Sequence, residues 1–415
     1  MSGSIREITL DNGLDVIVNP DTRFKSVGIA VGVRYGSIDE PKGKNGSAHY
    51  TEHMLFKGTK RRTYRDIWDE SNHYGMYINA FTQKENTIYH TTSHRLYFDN
   101  ALDLLSDMIK NSEFPEKEFE KERGPIINEN MMDSDNPIMM MYDNFPTALY
   151  KRHPARLSIS GDTDVINSIG IEDVRSIYDT YYNPKNMVVA ISGGIGGDYA
   201  IRKIKEMFGD LDRPKRIPKR ELAGESQVHT ERRIRKVGIR QTRIALGFKC
   251  SPYELSGRRE YLALDLLSTI LSKRLFHVVR GDAGFSYDPK AYLFMNQTFA
   301  FIAAMCGIDP RNEKKVKGIL IKEFDRLYAG EISKEEFGMY KKGLSVSTDM
   351  GFEYPTSTAS YMAMAKLTFG EMYDPKDLRN EMNSVTLDDV RGVASKYIKP
   401  GKYSYMVINP ANKDR

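Results

Sequence analysis

Cysteine is almost absent from this sequence. Only Cys250 and Cys306 occur in 415 residues, and neither belongs to a C-x-x-C pair. Two cysteines cannot build a disulfide framework, so both are expected as small core residues, and any metal must be held by histidine and carboxylate. Also missing is an apolar run near the ~20 residues that a membrane span needs, so no membrane partner is expected. The stretch Met1–Leu10 has neither the apolar core of a signal peptide nor the Arg-rich pattern of a transit segment, and a cytoplasmic location is expected. Aromatic residues are absent from the basic mid-chain stretch Arg213–Arg243, which holds eleven Lys/Arg against three Asp/Glu. A basic run without interleaved aromatics or a binding motif reads as a solvated connector, so no nucleic-acid partner is expected.

What is present is core material: 40% apolar and 28% charged residues describe a globular chain long enough for two or three domains. Ile5–Leu10 and Leu14–Val18 alternate around Asp11-Asn12-Gly13, a hairpin signal. Val27–Val33 is a more apolar strand, and strands are also expected near Tyr77–Thr82 and Thr87–Thr92. Leu102, Leu105, Met108 and Ile109 form the stripe of a core-facing helix. A second helix is expected from Pro115 to about Met132. The unit Ile171–Tyr178, Asn183-Pro184, Met187–Ser192 then recurs. Asp173 and Asp389, like Pro184 and Pro400, lie 216 residues apart. A period of half the chain means two similar domains. The expectation is an α+β fold of two homologous domains, each a mainly antiparallel sheet with helices on one face, arranged as a clamshell. The domains would cover 1–208 and 229–415, with a linker at 209–228.

The chemistry concentrates in one stretch, Ala48-His49-Tyr50-Thr51-Glu52-His53. His49 and His53 are i and i+4, which stacks two imidazoles on one helix face, and Glu52 leans over the same side. Two neutral imidazoles suit a borderline cation such as Zn²⁺, and a free carboxylate beside them can take a proton from water. The H-x-x-E-H order is a signature in its own right. A catalytic zinc wants a third protein ligand. Glu122 and Glu129, seven residues apart on the helix after Pro115, point the same way; one can reach the metal while the other supports it. Pro125 between them is a possible kink. Adding 216 to His49 lands in Tyr261–Ser268, which has no histidine, so the second domain repeats the fold without the motif.

These residues resemble the pitrilysin/insulinase metallopeptidases, and within them the branch of mitochondrial processing peptidase. The likeness rests on Gly46–Thr59, Glu122-Arg-Gly-Pro-Ile-Ile-Asn-Glu129, Asn79-Ala-Phe-Thr82, Tyr182–Met187, Lys273–Arg280 and Gly284–Tyr287. The resemblance implies that His49, His53 and Glu129 are ligands of Zn²⁺ and that Glu52 is the general base for water at the metal. It implies that Glu122 orients the ligand set. Asn79 and Ala80 would lie on an edge strand that takes the substrate backbone, and Arg280 and Tyr287 would be the second domain's contribution to substrate. The implied function is a zinc endopeptidase acting on peptides or unfolded segments, and a non-catalytic assembly subunit of the same fold is the alternative. Because one chain carries both the metal motif and the Arg/Tyr pair, a homodimer is expected.

Overall fold

A computed structural model describes residues 4–213, 215–372 and 374–411. By packing, the chain divides into two compact units. The first comprises Met1–Asn130, Ser158–Lys219 and Met350–Pro375; the second comprises Met131–Leu157, Arg220–Asp349 and Lys376–Arg415.

The first unit is built on a six-stranded sheet of β1 (Arg6–Thr9), β2 (Asp15–Pro20), β3 (Ser26–Val33), β4 (Tyr77–Thr82), β5 (Thr87–His94) and β6 (Met187–Gly193). The order is β1-β2-β6-β3-β5-β4, all antiparallel except β2 beside β6. The expected hairpin forms β1 and β2. Gly13 takes the turn at φ 89°, and the Asn12 side chain accepts from Leu14 N–H at 3.2 Å. Along β3 and β6 every second side chain enters a different core. Ile29, Val31, Val189 and Ile191 face Leu102, Leu105 and Met108 of the helix Phe98–Asn111, among others. Ala30, Val188 and Ala190 face the opposite way, onto Ala359, Met362 and Ala363. A strand buried on both faces loses its polar alternation, which is why Val27–Val33 reads as an unbroken apolar run.

The second face is covered by the helix Pro355–Phe369, which comes from the other half of the sequence. Small residues let it close on the sheet: a Cβ on Gly28 would lie 2.4 Å from the Thr356 backbone, and one on Gly32 would lie 2.6 Å from Leu367 Cδ1. Helices on one face of a sheet thus describe only part of this unit.

The second unit has a five-stranded sheet of β7 (Thr230–Val237), β8 (Thr242–Cys250), β9 (Lys290–Met295), β10 (Ala300–Ile308) and β11 (Ser404–Ala411), in the order β7-β11-β8-β10-β9. Only β7 and β11 are parallel. Here the borrowed cover is 131–157, from the first half of the sequence. Tyr142 packs its ring 5.2 Å from Tyr292, Phe145 lies 5.8 Å from Phe301, and the Tyr150 hydroxyl donates to Ala300 O at 2.9 Å. The two units therefore interleave along the chain where the repeat pointed to contiguous blocks. Described residues between 211 and 229 have no helix or strand.

Candidate active site

The helix Ser47–Met54 lies in the first unit and is buried along almost its whole length. Its i, i+4 spacing brings the His49 and His53 rings to 4.5 Å between centroids, with the two Nε2 atoms 3.1 Å apart. The helix Glu116–Asp135 runs on through Pro125 and carries both glutamates. Glu129 Oε2 stands 3.4 Å from His53 Nε2 and 3.8 Å from His49 Nε2. Glu122 goes to the other side of the same ring, 2.9 Å from His53 Nδ1. Spacing left the two glutamates equivalent, and the structure separates them by the imidazole nitrogen each one faces.

These atoms suit a small divalent ion. Two imidazole nitrogens and one carboxylate oxygen converge within 4.8 Å of one another. Around a tetrahedral zinc with bonds near 2.0–2.2 Å, such atoms sit roughly 3.3–3.5 Å apart, against the 3.1, 3.4 and 3.8 Å found here. The second-layer contact also fits. A His53 that donates from Nδ1 to Glu122 presents the Nε2 lone pair to the centre, which is how a carboxylate fixes the tautomer of a metal-binding histidine. Lys57 Nζ holds Glu122 Oε2 from behind at 2.5 Å. His49 has no matching support, since its Nδ1 is buried without a partner among the described residues.

The electrostatics point the same way. Burial, helped by the neighbouring His53, brings His49 down to about 4 and keeps it neutral. Burial also pulls on His53, but hydrogen bonds to Glu122 and Glu129 win and raise it to about 9. That bond to His53 holds Glu129 below the usual carboxylate range. A cation taking these donors would displace the proton that His53 otherwise keeps. Burial works against an ionised Glu122, yet His53 and Lys57 hold it low. Glu52 behaves differently: burial raises it to about 7, although Thr82 Oγ1 donates to its Oε2 at 2.5 Å. A carboxyl poised near neutrality suits proton transfer in both directions.

Thr82 ends β4, the edge strand of the sheet, so the base is tied to that edge. Asn79 and Ala80 lie on β4 as expected. Gln83 N–H bonds back to Asn86 O across the hairpin, so by antiparallel alternation Ile78, Ala80 and Thr82 turn their backbone groups outward. One of these is already engaged: Ala80 N–H donates to the Asn79 side-chain oxygen at 2.9 Å, and Asn79 Nδ2 donates to the Tyr77 hydroxyl at 3.0 Å.

Arg280 and Tyr287 belong to the second unit, and the structure brings them to each other. The guanidinium lies 4.4 Å from the Tyr287 ring centroid and donates to Tyr287 O at 3.3 Å. Arg280 sits on the π-helical turn Phe276–Asp282, and Tyr287 is 79% exposed. Two contributors went unassigned in the sequence: Lys57 and Thr82. Lys57 and Thr82 stand inside the quoted motif blocks, where a role for them could have been sought.

A family profile described as "Insulinase (Peptidase family M16)" matches residues 16–163, and one described as "Peptidase M16 inactive domain" matches residues 168–344. A zinc protease of Streptomyces coelicolor, itself uncharacterized, is 29% identical over 98% of this chain and 90% of its own length. One from Bacillus subtilis, also uncharacterized, is 27% identical over 98% of both chains. In fold, the chain is similar to a protease from Helicobacter pylori. The TM-score there is 0.91 and the identity 23%, covering 98% of this chain and all of that one. An M16-like peptidase from Alicyclobacillus acidocaldarius gives a TM-score of 0.87 at 20% identity over 98% of each chain.

Two like sheets with, among the described residues, one His-His-Glu donor set define the class of inverted-motif metallopeptidases. Within that class the chain belongs to the insulinase family, peptidase family M16. The "inactive domain" profile covers the part of the chain that has no histidine pair.

Proposed function

We propose that this chain is a zinc endopeptidase acting on peptides or unfolded polypeptide segments. The observation that carries the reading is the convergence of His49, His53 and Glu129 with Glu52 on the same short helix. Zinc at those three donors would polarise a scissile carbonyl and make water a stronger acid. Glu52 takes the proton of the attacking water and later hands it to the leaving amine. Thr82 orients Glu52, while Glu122, backed by Lys57, orients His53. The substrate backbone adds to the outer edge of β4, where Ala80 offers its outward backbone carbonyl and Asn79 its side-chain amide. Arg280 and Tyr287 are read as a cation and a phenol offered to substrate by the second unit, a pairing suited to an oxygen that gains negative charge.

The likeness to processing peptidase and the homodimer belong to the same reading, as does a cytoplasmic location. Among the described residues no helix is long and apolar enough to cross a membrane. The alternative, a non-catalytic assembly subunit, has no need of a complete donor set and a buried base, and both are present. Zinc content and cleavage of an unstructured peptide, measured for the native chain and Glu52→Gln, decide between them. Zinc in both with cleavage only in the native chain supports the peptidase; a native chain without zinc or cleavage overturns it.

A further inference from the structure

We infer that Glu40 is a positioning residue for the metal site, holding His49 through the backbone as Glu122 holds His53 through its ring. The inference rests on the zinc reading above. The helix Ser47–Met54 has only eight residues, and a helix that short has little stability of its own. Its first N–H groups need outside acceptors. The residue at its N-cap is Gly46, which sits at φ 96° and has no side chain to offer. Nor could it carry one. A Cβ there would lie 2.5 Å from Ile166 Cδ1 and 2.7 Å from Ser160 O.

Glu40 supplies the missing cap from six residues upstream. Its Oε1 accepts from Ala48 N–H at 2.8 Å, and both its oxygens lie 3.0 Å from Gly46 N. Oε2 also accepts from Asn45 Nδ2 at 2.8 Å, and the same amide donates to Ser158 O at 2.7 Å. One carboxylate thus gathers the helix entry, and the amide it holds reaches the 158–161 loop. Ala48 is the residue before His49, so the contact acts one bond away from that ligand's own backbone. The two histidines are otherwise unequal. His53 is oriented by Glu122 at Nδ1, whereas His49 Nδ1 has no partner among the described residues. What sets the place of the His49 ring is therefore the position of the first turn, and Glu40 sets that turn.

The test compares the native chain with Glu40→Gln and Glu40→Ala. Zinc affinity is read by competition with a chromophoric chelator, and the visible spectrum is recorded with Co²⁺ in place of zinc. The constants kcat and KM are measured on an unstructured peptide, and thermal unfolding on the metal-free chains. Glu40→Gln keeps one acceptor oxygen and much of the fold. It should bind zinc about tenfold more weakly, as loss of an orienting partner does, with altered Co²⁺ bands, a lower kcat and an unchanged KM. Glu40→Ala should go further in the same direction. Native zinc affinity and native Co²⁺ bands in both variants overturn the proposal, even where unfolding temperature falls. A native chain that binds no zinc overturns instead the metal reading beneath it, so the two failures are told apart.

Discussion

In the first unit the stretch after β3 leads to an eight-residue helix with two histidines; in the second, β8 leads to the longer helical stretch Tyr253–Leu275, broken at Gly257 (φ 72°), with none. The sheets around them are otherwise alike. Each has one parallel pair, followed by three antiparallel pairs in the same order. At the 216-residue offset, His49, Glu52 and His53 become Asp265, Ser268 and Thr269. The long helix is secured by its own buried face, including Leu262, Leu266, Leu267 and Ile270. The short one buries Ala48, Tyr50 and Met54 but gives His49 and His53 to the donor set, and it is bonded by carboxyl groups from elsewhere, Glu40 at one end and Glu122 at the other. Chemistry and self-sufficient packing compete for the same place in the fold, and duplication lets the chain keep one copy of each.

The comparison breaks most sharply at the base. Glu52→Gln should lower kcat by roughly 10²–10⁴-fold, the usual worth of a general base, while zinc content by atomic absorption stays native. A smaller effect is expected from Glu122→Ala, which leaves His53 without its Nδ1 acceptor. Zinc affinity should drop about 10–100-fold, measured by chelator competition. Gly28→Val removes the close approach of the helix Pro355–Phe369, and only in the first unit. A cost of about 3 kcal/mol should appear in urea unfolding.

The least effect concerns the second unit alone. Glu225 accepts from the N–H groups of Lys151, Arg152 and His153, fastening the borrowed segment 131–157. Burial opposes the charge, but those three donors bring its carboxyl down to about 2. A pKa depressed in the folded state adds stability above the unfolded value near 4.3 and loses it as pH falls towards 2. Because the group is largely solvated, Glu225→Gln should cost only about 1 kcal/mol at pH 7. The native and variant unfolding curves should converge near pH 2.

Much of this was legible in the sequence, for identifiable reasons. Alternation and the Asp11-Asn12-Gly13 turn mark β1 and β2, and the 216-residue repeat implies a second domain like the first. The unbroken apolar run of β3 showed burial on both faces but not what covers the second one, because hydrophobicity records burial and not the partner. The repeat alone therefore assigns residues 131–157 and 350–375 to their own halves of the sequence. At the site, helical spacing paired His49 with His53. It could not tell Glu122 from Glu129, since seven residues put both on one face, and only the resemblance separated them. Glu40, in the Asp39-Glu40-Pro41 loop, carried no periodic signal at all.

The reciprocal loan of segments has a consequence for anyone who would dissect the molecule. A cut inside 209–228 falls in a stretch without helix or strand and looks harmless. It would nevertheless strand the cover of each sheet on the other fragment: Ala359, Met362 and Ala363 with one piece, Tyr142 and Phe145 with the other. Each fragment alone would expose an apolar sheet face and should aggregate, while the two made together should fold as a nicked whole. The repeat describes how the sequence is written twice, but neither half of the sequence carries the full cover of its own sheet.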